Sequence, residues 1–166
     1  FQYPLFSKKN QHIINTAKNF IETKINLKIN EDPKIELPQN LIKEAINKYN
    51  INKNNTNVLL GIGASGPTKR IPAETFLKVI EKIVMKKECH FFLATGKNEE
   101  EQKILNQILN SKFNRICTAL DNLSIKETLP IIKNCNIAIC NDTGFGHLSA
   151  ALEIKTIMLI ADAPLI

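Results

Sequence analysis

The sequence predicts an α/β fold, a doubly wound parallel sheet of about five strands, on three observations. Short apolar runs alternate with amphipathic stretches from residue 57 onward, two of those runs end in glycine-bearing polar elbows, and each elbow leads into a helix-like segment. Such alternation favours parallel pairing, because a crossover helix returns the chain to the end of the sheet from which it left.

Taken in order, residues 9–25 have helical spacing through Ile13, Ile14, Ala17, Phe20 and Ile21, and a second helix is expected over 41–49, after Pro38. A connector bearing Lys and Pro joins them, and the Asn-rich stretch 50–57 reads as a solvated linker. Strands are then expected at 58–62, 90–94, 115–118, 137–140 and 156–160, with helices at 73–85, 99–110, 125–133 and 147–152 between them. The expected strand order is 3-2-1-4-5, which sets the first and fourth strands side by side at the switch point. Residues 161–165 read as a third strand-end loop, and the opening helix has an apolar face wanting a partner, so a domain cut from a larger chain is expected.

With 166 residues, 43% of them hydrophobic and 23% charged, the chain has room for one sizeable core. A net charge of +6 and a pI near 9.1 admit anionic partners. The lysines are spread along helices rather than gathered with aromatics, which argues against nucleic acid. Cys89, Cys117, Cys135 and Cys140 form no C-x-x-C pair, so they read as reduced and structural. No apolar run approaches the roughly 20 residues that span a bilayer, and the start of the chain lacks a signal core, so the cytoplasm is the expected location.

The chemistry gathers at the two elbows. Asn141-Asp142-Thr143-Gly144-Phe145-Gly146-His147-Leu148 follows the fourth strand. There the amides of the next helix face outward at a strand's carboxyl end and can receive an anion, so a phosphorylated ligand is expected. Gly144 permits a tight turn and close approach, Thr143 offers a hydroxyl and an amide, and His147 lies one helical turn on. After the first strand, Gly63-Ala64-Ser65-Gly66-Pro67-Thr68-Lys69-Arg70 offers hydroxyls from Ser65 and Thr68, a possible nest of amides, and the cations Lys69 and Arg70. Neither the Walker pattern nor G-x-G-x-x-G is present.

With Thr68-Lys69-Arg70-x-Pro72 after one strand and Asp142-Thr143-Gly144-x-x-His147-Leu148-x-Ala150-Ala151 after another, the sequence resembles the C-terminal half of glycosyltransferase family 9, the lipopolysaccharide heptosyltransferases, from about residue 57 to 160. The resemblance implies a GT-B architecture of two Rossmann-like domains, with this chain as the donor half: a helical lead-in at 1–56 and a nucleotide-sugar-binding domain at 57–166. It implies a sugar, heptose or similar, transferred with inversion from a nucleotide diphosphate donor such as ADP-heptose to a lipopolysaccharide-type acceptor. The catalytic base would come from the N-terminal domain, leaving no catalytic residue in this fragment and a fragment inactive on its own. No metal or other cofactor is implied, and no D-x-D motif occurs. The full-length enzyme would work at the inner face of the inner membrane, associating peripherally.

By motif, Ser65, Thr68 and Lys69 would contact diphosphate and ribose, Thr143 and Gly144 the diphosphate, Asp142 the sugar, with His147 beside them. Glu100, four residues after Gly96, would take the ribose, and the backbone edge of Asn122-Leu123-Ser124 the adenine. The chain departs from the family at Ile71, where Trp is common, and at Ala161-Asp162-Ala163-Pro164, where a G-P-T-D-P-like loop is usual.

Plainer readings stand beside these. Asp142 could cap a helix, His147 could pack under its loop, Lys69 and Arg70 could be a solvated pair, and Glu99 to Glu101 could serve the helix dipole alone. His90 beside Cys89 lacks further ligands at metal spacing, and His12 lies on a polar face. The rival function is a non-catalytic nucleotide-binding module, a paralogue whose altered 161–164 loop has lost the sugar.

Overall fold

The structure, a computed structural model, describes residues 13–30 and 32–160. Of these, 13–30, 32 and 33 fall in one compact unit and 34–160 in another. In the first unit the opening helix is α1 (Ile13–Lys24). Residues 9–12 of its expected span, like the expected strand-end loop at 161–165, lie outside the described residues. Asn26, at φ 58°, turns the chain after the helix in a region Asn tolerates well, and Ile29 N–H then donates to Glu22 Oε1 at 3.0 Å.

The second unit carries the sheet. Its strands are β1 (Thr56–Gly61), β2 (Cys89–Ala94), β3 (Cys117–Ala119), β4 (Ile137–Asn141) and β5 (Thr156–Leu159). They pair in parallel in the order β3-β2-β1-β4-β5, as expected. The helices are α2 (Gln39–Lys48), α3 (Ala73–Val84), α4 (Glu99–Leu109), α5 (Ile125–Lys133) and α6 (Gly144–Ala151).

Both faces of the central strands are covered, which is why those strands read as continuous apolar runs rather than alternating ones. On one face Val58, Leu60, Phe91 and Leu93 meet Phe76 and Ile80 of α3 and Leu105 and Ile108 of α4. On the other Leu59, Phe92 and Ala138 meet Ile131 and Ile132 of α5. Phe76, Phe91 and Phe92 are among the largest fully buried side chains, and each contributes about 1.5–3 kcal/mol through burial.

The segment ahead of the sheet is bound to it. Ile35 N–H donates to Ala151 O at 2.8 Å, and the Asn134 amide donates to Ile42 O at 2.9 Å, joining α2 to the end of α5. The Asn-rich stretch is solvated only in part, because Asn57 is buried inside β1. Its N–H donates to Asn136 Oδ1 at 2.8 Å and its side chain to Asn52 O at 2.9 Å. A ladder end that would otherwise hold unpaired backbone groups is closed by asparagines.

Among the boundaries that differ from expectation, two lie beside the later strands. Residues 114–116 form a 3-10 turn before β3, and α6 begins at Gly144 rather than His147. The second difference has a packing reason: a Cβ on Gly146 would lie 2.5 Å from Met158 Cε and 3.4 Å from Cys140 Cβ, so this glycine lets the first turn of α6 settle onto β4 and β5.

Candidate functional site

The switch point is where the register of β1 and β4 brings Gly61 opposite Cys140, so the two elbows leave the sheet as neighbours. A Cβ on Gly61 would stand 2.6 Å from Cys140 Sγ, which explains a glycine at the last position of β1. Just beyond, the buried Asn141 side chain donates to Ile62 O at 2.9 Å and stitches one elbow to the other.

The elbow after β1 makes no amide nest. No glycine has positive φ, and Pro67–Lys69 form a 3-10 turn in which Lys69 N–H donates to Gly66 O and Arg70 N–H to Pro67 O. Pro67 opens the turn and fixes its φ. Ser65 and Thr68 are exposed on this loop, and Lys69 and Arg70 are partly buried.

The elbow after β4 supplies backbone instead. Thr143 is the N-cap of α6 and makes no side-chain cap, so the first amides of the helix are left to whatever occupies the strand end. Asp142 does not cap α6. Among the described residues a Cβ on Gly144 would meet nothing within 4 Å, and its φ is not positive. The turn therefore does not require this glycine; its effect is to leave the space over the helix N-terminus open.

Charge joins the two elbows. Lys69 Nζ lies 2.5 Å from Asp142 Oδ2, with the two side chains only 29% and 19% exposed. The other carboxylate oxygen, Oδ1, stands 3.9 Å from His147 Nε2, on a largely exposed ring. Thus Lys69 and His147 flank the Asp142 carboxylate, which immediately precedes Thr143 and Gly144 at the N-terminus of α6.

The glutamates after β2 differ in their surroundings. Glu100 is exposed and bonded to Lys103 at 2.8 Å, a bond that holds its carboxyl below the usual range. Its neighbour Glu101 is buried, and its two oxygens lie against glycines two residues past the ends of β1 and β2: Oε1 is 2.7 Å from where a Gly63 Cβ would be, and Oε2 crowds that of Gly96. The signal for Glu101 was in the sequence. Asn98 caps α4 by accepting from Glu101 N–H at 3.0 Å, which fixes Glu101 as the third helical residue and turns it inward. At the β3 end, Leu123 N–H donates to Leu120 O at 3.0 Å, and Ser124 is engaged in a capping box with Glu127, which together fix the backbone of this loop.

The remaining polar groups serve structure. His90 bonds Thr118 at 2.8 Å across β2 and β3, and burial lowers its pKa. Burial pushes the thiols of Cys117 and Cys140 up to about 11 and that of Cys135 to about 12, so they are protonated and unreactive near neutrality. All four cysteines are free. Among the described residues no His, Cys, Asp and Glu side chains group in a way that could hold a metal ion, and no helix is long and apolar enough to cross a membrane. The 161–164 loop lies outside the described residues.

Comparison with known proteins places this geometry. The pattern of glycosyltransferase family 9 (heptosyltransferase) matches residues 4–164. A lipooligosaccharide heptosyltransferase 2 of Campylobacter jejuni is 30% identical over 156 residues, which cover 91% of this chain and 47% of that protein. A counterpart from Haemophilus influenzae is 26% identical over 57% of this chain and 28% of its own length. The chain thus spans less than half the length of these relatives. Among solved structures, the E. coli heptosyltransferase WaaC with ADP-2-deoxy-2-fluoro heptose superposes with a TM-score of 0.73 over 95% of this chain and 48% of that one, at 14% identity. E. coli ADP-heptose lps heptosyltransferase II gives 0.69 over 88% and 46%, at 19% identity.

Proposed function

The chain belongs to glycosyltransferase family 9, and from that premise we propose that it is the donor-binding half of an inverting enzyme that transfers heptose, or a similar sugar, from a nucleotide diphosphate to a lipopolysaccharide-type acceptor. The observation that carries this reading is the bridge between Lys69 and Asp142 beside the uncapped N-terminus of α6.

In such a reaction the sugar leaves a nucleoside diphosphate, on which negative charge grows as the bond breaks. Lys69 and the first amides of α6 are positioned to stabilise that charge, aided by the helix dipole. Asp142, at the same rim, accepts hydroxyls of the transferred sugar. Glu101, rather than Glu100, has the burial and position to take the ribose hydroxyls between the ends of β1 and β2. The carbonyls around Leu123 receive the exocyclic amine of the adenine, and Ser65 and Thr68 offer hydroxyls to the phosphates. The base that deprotonates the acceptor belongs to the other half of the enzyme. The location that goes with this reading is the cytoplasm, at the inner face of the inner membrane.

Titration calorimetry with ADP and AMP tests it, since most of the assigned contacts go to the diphosphate. ADP should bind more tightly than AMP, and EDTA should leave binding unchanged. Equal affinity for the two nucleotides, or strict dependence on magnesium, would count against the assignment.

A further inference from the structure

The cation that the donor-site reading assigns to the diphosphate is engaged by a carboxylate of the neighbouring elbow. Lys69 Nζ is bonded to Asp142 Oδ2 at 2.5 Å, and both side chains are mostly withdrawn from water, so this contact is held more firmly than an ordinary surface pair. Asp142 also immediately precedes Thr143 and the first amides of α6, where a phosphate would sit. A free carboxylate there would repel the phosphate; a carboxylate paired with Lys69 repels it less. Its other oxygen stands 3.9 Å from His147 Nε2, beyond hydrogen-bond distance.

Resting on the donor-site reading above, we infer that Lys69 and Asp142 exchange partners: an arriving diphosphate draws Lys69 away from Asp142, and the carboxylate so released becomes the acceptor for hydroxyls of the attached sugar. The exchange couples the two halves of the donor. A ligand with a diphosphate but no sugar breaks the bridge and leaves Asp142 Oδ2 without its donor, close to the new negative charge. A ligand with both restores a partner to every group. The bridge therefore sets a preference for the nucleotide-sugar over the bare nucleoside diphosphate, which is also the product that must leave.

The opposite arrangement, in which Asp142 keeps hold of Lys69 and presents it to the phosphate, makes the reverse prediction for a single substitution. Asp142→Asn keeps the shape of the side chain but removes the charge that competes for Lys69. Calorimetry with ADP and ADP-heptose on the wild-type chain, Asp142→Asn and Asp142→Ser, each checked for folding by thermal melting, separates the two. Exchange predicts that both variants bind ADP about tenfold more tightly than wild type, while ADP-heptose gains much less, so that the preference for the sugar-bearing ligand shrinks. Unchanged or weaker ADP binding in a folded variant would overturn the exchange. If the wild-type chain itself binds neither ligand, the donor-site reading fails and the exchange with it, a result distinct from a wild type that binds and variants that do not improve.

Discussion

The elbows after β1 and β4 leave the sheet side by side yet meet an anion with different equipment. The first spends its turn amides on itself, through the bonds from Lys69 to Gly66 and Arg70 to Pro67, and presents side chains. The second caps its helix with no side chain and presents backbone. A rigid turn makes Lys69 a positioned point charge, and a bare helix end makes a fixed field of amides. The first is removable by one substitution, whereas the second can only be obstructed or displaced. The difference implies that mutations on the two sides should fail in different ways.

The largest effect should come from forcing the elbows apart. Gly61→Val would place a branched side chain 2.6 Å from Cys140 Sγ and 3.3 Å from Cys140 Cα, and backbone cannot swing aside as a side-chain end can. Unfolding in urea should show a loss of about 3 kcal/mol, with partial recovery on adding Cys140→Ala, which removes the sulfur but not the main chain. A variant as stable as wild type would mean that β1 and β4 are less closely fitted than the register indicates.

Removing the point charge comes next. Lys69→Ala should weaken ADP binding by about 1.5–3 kcal/mol, roughly tenfold to a hundredfold, because a charge-assisted bond to phosphate is lost. Stability should fall by less than binding, by about 1 kcal/mol at most, since the Asp142 carboxylate left behind, though mostly withdrawn, keeps 19% of its surface open to water. A melting temperature that falls while ADP affinity holds would show the lysine to be a strut between the elbows.

The two neighbouring glutamates extend the comparison to the end of β2. Glu101→Gln should weaken ADP binding by about 1 kcal/mol through its ribose bonds, and Glu100→Gln should match wild type in calorimetry. The reverse ranking would restore the residue that counting from Gly96 selects.

That counting marks the limit of what the sequence conveyed. The sheet order was legible because apolar runs buried on two faces are long and uninterrupted, as in 58–62 and 90–94, and because polar elbows follow the strands that flank the switch point. The convergence of Lys69 and Asp142 followed from that order. Whether the side chains would bond to each other was not legible, since sequence gives position along the rim and not distance across it. The burial of Glu101 was not legible from motif spacing, because it depends on the helix phase that Asn98 sets. The early start of α6 was missed because glycine disfavours helix locally, and only the contact of Gly146 with Met158 shows why small residues are required there.

Gly144 offers the smallest and cleanest separation of folding from binding. It is the first residue of α6, its φ is not positive, and a methyl group added to it would meet nothing within 4 Å among the described residues. Alanine at a helical position that it can adopt without strain reduces the freedom of the unfolded chain, so Gly144→Ala should raise stability by about 0.4–1 kcal/mol. The same methyl group would stand in the open space over the helix N-terminus, where a phosphate must come close to reach the amides. ADP binding should therefore weaken severalfold in a variant that melts higher than wild type. Urea denaturation and calorimetry on one preparation would decide the matter: tighter folding with undiminished ADP affinity would mean that the nucleotide approaches from the Lys69 side and leaves the end of α6 untouched.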